Sequence, residues 1–189
     1  MTDIPRSAGR PRSESARSAV LRAVDDMLVD VGYAAMTMKG IAERAKVGRQ
    51  TVYRWWSSKA EILLEASAGD AARELDVPAH ADPAVEITAF LAALTAFLTT
   101  SDAGLAYRAL LGEAQHDRAV AELLKGTDVL GTAAHVILER TRATDPRAES
   151  TNGSARTAEL VGPLLYAVLI EGRTPTPSEL SEMATRFLR

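Results

Sequence analysis

The sequence has no cysteine. That excludes disulfides, thiolate nucleophiles and cysteine-type zinc sites, and it suits a reducing compartment such as the cytoplasm. Aromatic residues make up only 5% of the chain. The three histidines, His80, His116 and His135, are too far apart for metal-ligand spacing. No apolar run reaches the roughly 18 residues of a membrane span. The N-terminal MTDIPRSAGRPRS lacks the apolar centre of a secretory signal. There is no internal repeat and no alternating β-branched run long enough for a strand. G-x-S-x-G, H-E-x-x-H and P-loop patterns are also missing. These absences predict an all-α chain that is not an enzyme, with no catalytic residue, no metal, no cofactor and no membrane partner.

What is present is ordinary in amount and uneven in placement. The chain has 189 residues, 47% hydrophobic and 25% charged, enough for a real core. The net charge of −3 hides an asymmetry. Residues 1–60 hold 11 Lys and Arg against 6 Asp and Glu, a net of +5; residues 61–189 hold 11 against 19, a net of −8. A basic head on an acidic body suggests that one end meets a polyanion.

The apolar spacing then places about nine helices. Residues 1–13 are polar and read as a flexible basic arm with Arg6, Arg10 and Arg12. From Ser15 to Val31 the apolar residues recur at helical spacing, and Gly32 is placed to stop that helix. Thr37 is the expected N-cap of a short helix over MKGIAERA. Lys46 to Gly48 is a tight connection, and Arg49 to Trp55 or Trp56 is a second short helix. Ser58 and Glu61 have capping-box spacing and open a helix to about Asp76. After a linker at 77–83, helices are expected at about 83–100, 102–115, 117–143, 155–172 and 177–188. Asp145 and Pro146 part the third from the fourth, and Thr176 to Glu179 form another capping box. The expected domains are 14–60, a helix-turn-helix DNA-binding domain, and 61–189, a domain for ligand binding and dimerisation.

Residues 37–56 carry the chemistry. Two short helices joined by about three residues give helix-turn-helix geometry, in which the second helix enters the major groove with its N-terminal residues at the base edges. Here those residues are Gly48, Arg49, Gln50 and Thr51. Arg is a bidentate donor suited to guanine, Gln can bridge adenine, and a Thr methyl suits thymine. Thr37, Tyr53 and Lys59 can donate to phosphate oxygens, which fixes register without reading sequence. Of Trp55 and Trp56, which lie about 100° apart on a helix, at least one packs beneath the recognition helix.

IAERA at Ile41 to Ala45, TVYR at Thr51 to Arg54, and Ser58-Lys59 hold an order and spacing that resemble the DNA-binding domain of TetR/AcrR-type repressors over about residues 14–64. Gly162 to Tyr166, Glu171-Gly172 and Phe187-Leu188 look like the last two helices of the same family. The resemblance implies a homodimer on a palindromic double-stranded DNA operator, released by a small-molecule effector bound among the C-terminal helices. It implies that Thr37 starts the positioning helix and touches phosphate, that Arg49, Gln50 and Thr51 face bases with Arg54 beside them, and that Tyr53 and Lys59 hold phosphates. Many members have Gly near position 46 and Ser or Thr at 48; here these are Lys46 and Gly48. Gly is an acceptable N-cap, and Lys46 can supply a charged DNA contact in place of the lost hydroxyl.

Three further expectations concern other segments. Gly9 to Arg12 (GRPR) resembles the core of an AT-hook, whose arginines enter a narrow minor groove, with a plain basic tail as the alternative. Phe90, Leu94, Phe97, Tyr107, Leu110 and Leu111 fall at helical spacing as core or as the lining of a ligand pocket, and the scarcity of charge around them favours an apolar or aromatic effector. Leu160, Val161, Leu164, Leu165, Val168 and Leu169 form a stripe too wide for one helix face, and the second side is expected to be half of a dimer interface. The helix from 58 to 76 touches both halves of the chain and is the expected lever of the response. The rival readings are a constitutive DNA-binding dimer without ligand and a small helical enzyme.

Overall fold

A computed structural model describes residues 10–142 and 153–189, with side chains from Glu14 onward. Asp145 and Pro146, and the side chains of Arg10 and Arg12, lie outside the described residues. Contacts divide the chain into two compact units, Met1–Ala66 and Ser67–Arg189. The division falls inside a helix, six residues past the expected boundary at 60.

The first unit begins with α1 (Arg10–Ala35), which reaches back into the segment expected to be an arm. Its backbone leaves the helical region at Gly32, with φ 75° and ψ 162°, where the stop was expected. Glycine takes that conformation without the Cβ penalty. The short α2 (Met38–Arg44) is capped by Thr37, whose Oγ1 accepts from the Gly40 amide at 3.0 Å. Next come α3 (Arg49–Trp55) and α4 (Lys59–Glu74). Ser58 Oγ accepts from the Glu61 amide, as its spacing predicts. The Glu61 carboxylate reaches one residue further back, to the Ser57 amide at 2.7 Å. Val20, Val24, Ile41, Val52, Ile62 and Leu63 are fully buried and tie these helices together.

The second unit holds α5 (Pro83–Thr100), α6 (Asp102–Glu113), α7 (Arg118–Thr127), α8 (Val129–Thr141), α9 (Gly153–Leu165) and α10 (Pro177–Phe187). No strand occurs among the described residues. Asp82, Ser101, Asp117 and Thr176 cap their helices through side-chain oxygens, and Thr176 with Glu179 completes the expected capping box. The segment 117–143, expected as one helix, is two. Asp128 takes a left-handed conformation (φ 38°) and ends α7, and its carboxylate accepts from Gly131 to start α8. The segment after α9 is a single π turn, Tyr166–Ile170, closed by the Glu171 amide on the Tyr166 carbonyl.

α5 is the centre of this unit. With 18 residues and Glu86 as its one charge, it is long and apolar enough to cross a membrane by length and composition. In this fold, however, Ile87, Phe90, Leu91, Leu94, Phe97 and Leu98 are buried in the protein core. α6 and α10 pack against it. Gly104 permits the α5–α6 approach: a Cβ there would lie 1.6 Å from the Phe97 carbonyl oxygen. Glu86 is a buried carboxylate that accepts from the His80 amide at 3.0 Å and from Arg140 at 3.4 Å. Arg140 also donates to the Val77 carbonyl at 2.8 Å, so α8 is tied to the segment that follows α4.

Candidate nucleic-acid interface

The candidate reading surface is built from α2, the connection 45–48 and α3. Val52 is fully buried and anchors α3, and this leaves Arg49 and Gln50 exposed and Thr51 half-buried on its first turn. Thus the three residues expected to meet bases sit together at the N-terminal end of the second helix. Gly48 is the N-cap and provides no side-chain hydrogen bond. Lys46 is exposed and adopts φ 55°, a left-handed conformation that costs an L-residue roughly 1 kcal/mol. Its side chain starts from the turn itself, beside the recognition helix.

The expected phosphate-contacting residues divide. Thr37 is exposed; its oxygen accepts from Gly40, which leaves its O–H to donate. Tyr53 is 56% exposed, and Arg54 is exposed beside it with its guanidinium over the Trp55 ring. Lys59 is different. Its ammonium donates to the Tyr33 carbonyl at 2.8 Å and the Met36 carbonyl at 3.2 Å, and lies 4.1 Å from the Tyr33 ring centroid. It thereby fastens the start of α4 to the end of α1 through two of its three N–H groups.

The two tryptophans are distinguished as well. Trp56 is buried, and its indole Nε1 donates to Glu65 at 2.9 Å; Trp55 packs edge-on against it. Arg17 also reaches Glu65, and that hydrogen bond raises the Arg17 guanidinium above its usual range. Arg44 is held by Asp30, with the same effect on its proton affinity. Sequence reasoning missed Glu43, which accepts from Arg49 at 2.9 Å. The signal was available, since Glu43 is the one acidic residue between Thr37 and Lys59.

Two other expected sites change. Phe90, Leu94, Phe97 and Leu110 are at most 1% exposed, Tyr107 is buried against Phe97, and Leu111 packs on the same core. They are packed core, and none lines the mostly apolar cleft that this unit contains. That cleft, of about 340 Å³, lies between the C-terminal part of α4 and α8, with Ala72, Leu75, Asp76, Thr132, Ala133 and Val136 among its lining residues. In the stripe expected at a dimer interface, Leu160, Val161, Leu164 and Val168 are buried in the unit's own core, and Leu165 and Leu169 are partly buried against it. The exposed apolar side chains on this element are Tyr166 and Ile170 instead, at 57% and 71%.

Fold and surface together define a helix-turn-helix DNA-binding protein that regulates transcription. Residues 20–66 match the family described as bacterial regulatory proteins, tetR family. The chain is 32% identical over 166 residues to an uncharacterized HTH-type transcriptional regulator, YdeS, of Bacillus subtilis (strain 168), covering 87% of this chain and 83% of that one. Among solved structures, the TetR family transcription regulator SCO0332 superposes with a TM-score of 0.75 at 24% identity, over 92% of this chain and 97% of that one. The multidrug binding protein EbrR, complexed with imidazole, gives 0.68 at 20% identity over 99% and 98%. The chain belongs to the tetR family.

Proposed function

We propose that the chain is a cytoplasmic, ligand-responsive repressor that binds a palindromic operator as a homodimer. The observation that carries the reading is the first turn of α3: Arg49 and Gln50 are exposed and Thr51 is half-exposed beside them on a helix pinned by buried Val52. Thr37, Tyr53 and Arg54 flank it as phosphate donors, with Lys46 at the turn. In this reading α3 lies in the major groove, and two copies span half-sites about one helical turn apart.

The cleft between α4 and α8 is the proposed effector site. Its volume is within the range of small-molecule pockets, and its lining is mostly apolar with the hydroxyl of Thr132 and the Asp76 carboxylate. This supports a ligand-responsive protein over a constitutive one, and an apolar or aromatic effector. EbrR, with the same fold, holds imidazole or ethidium in solved structures. An occupied cleft would act on α4, the helix that begins in one unit and ends in the other, and only a ligand with different affinities for the two states shifts the balance. For the dimer, the exposed Tyr166 and Ile170 are the proposed contacts.

A thermal-shift screen of apolar and aromatic compounds tests the effector site. A binder at 100 times its Kd adds about 2.7 kcal/mol. That gain should vanish in Val136→Trp, which fills the cleft, and the same compound should release the wild type from DNA. A compound that binds Val136→Trp equally well would reject the cleft. Ile170→Glu should convert a sedimenting dimer to monomer; an unchanged dimer would reject that face.

A further inference from the structure

We propose that Glu43 is a positioning residue for base reading: it holds Arg49 in one orientation and keeps that guanidinium off the phosphates. The inference rests on the assignment of α3 as the reading helix.

Between Thr37 and Lys59 the sequence carries six cations and one acid. That acid could have fallen anywhere on the surface, but it lies on the first residue of α3. Glu43 Oε1 accepts from Arg49 Nη2 at 2.9 Å, and the Lys39 ammonium is 4.0 Å from the same oxygen. Both partners are more than half exposed. An exposed ion pair of this kind adds about 0–1 kcal/mol to stability, so the fold gains little from it. Its cost falls on DNA affinity, because a carboxylate on a surface that meets phosphates repels them. A charge that weakens binding and barely stabilises the fold is best accounted for by what it does to its partner.

Its partner is a long side chain with a rigid planar head. An unpaired arginine samples many rotamers, and the nearest strong acceptors on a duplex are phosphates. Holding Nη2 on Glu43 narrows the orientations open to the guanidinium and leaves its other N–H groups to read a base edge. Part of the ordering entropy is then lost before DNA arrives, and the phosphate-bound alternative must first break the pair. Neighbouring cations are held by other groups: Arg44 by Asp30, and Lys59 by the Tyr33 and Met36 carbonyls. Glu43 thus acts on the residue expected to face a base.

The test compares wild type, Glu43→Gln, Arg49→Gln and the double variant, each as full chain with its melting midpoint recorded. The probes are a pool of random-sequence 30-base-pair duplexes, used for selection, and the same pool unselected, used for anisotropy titrations against salt. Glu43→Gln should melt like wild type and bind the unselected pool more tightly. Its slope of log K on log salt should be steeper by about 1, as one more cation engages phosphate. Preference at one base position per half-site should fall about threefold in its selected sequences, the size an exposed ion pair can supply. On the Arg49→Gln background the same substitution should leave base preference unchanged. The proposal is overturned if Glu43→Gln binds more tightly with its base preference intact, which would make Glu43 a simple repulsive charge. It is also overturned if the preference changes equally on both backgrounds. Wild type that enriches no sequence would reject the reading helix itself, a result distinct from either.

Discussion

In the first unit the residues tied to function are polar, exposed and few, and each position in the 37–56 segment has its own geometric task. In the second unit the expected functional residues were apolar and numerous, and most of them turned out to be packing. The difference is physical. A base-reading residue must be polar, on the first turn of one helix and outside the core, so sequence position nearly fixes its role. A pocket-lining residue and a core residue share the same chemistry and the same helical spacing. Only the packing of neighbouring helices separates them.

The largest test of this contrast is Phe90→Ala. As packed core it should lose about 3 to 5 kcal/mol in denaturant melts. If Phe90 instead lined a ligand cavity, the loss would be far smaller, and α5 would have to be read again as a pocket wall. Tyr107 gives a second test in the same unit. Its phenol is pushed up to about 12, first by burial and then by the Asp128 carboxylate. In an unfolded chain it ionises near 10. The folded state keeps the proton longer, so this contribution is intact below pH 10 and is lost as pH rises from 10 toward 12, by about 2 to 3 kcal/mol. Wild type should therefore lose stability across that window relative to Tyr107→Phe. Parallel curves would mean that Tyr107 is wet.

The smallest effect belongs to the first unit. Lys46→Gly relieves a left-handed backbone and should stabilise the chain by about 1 kcal/mol. The same change should weaken binding to unselected duplex DNA, with a salt slope shallower by about 1 if Lys46 meets a phosphate. Unchanged binding would take Lys46 out of the interface.

Much of the helical layout was legible because its punctuation is local. Thr37, Ser58 and Thr176 are capping side chains that announce helix starts in the sequence itself. The break at Asp128 was hidden, because an aspartate in the left-handed region looks like any other polar residue on a helix. The anchoring of Lys59 was hidden for a related reason. The sequence gives it a charge at a helix start, and only the fold brings the Tyr33 and Met36 carbonyls to it. The stripe from Leu160 to Leu169 was legible as apolar on two sides, but the fold covers one of those sides more fully than its width suggested, which leaves Tyr166 and Ile170 outside.

The central claim is that the first turn of α3 reads DNA, and it is tested most directly by titrating the double variant Gln50→Ala/Tyr53→Ala against the duplex that wild type selects from random sequence. The account predicts that the variant melts like wild type yet loses roughly 100-fold or more in affinity, falling to the level of unselected DNA. A variant that keeps its preference for the selected duplex would contradict the assignment.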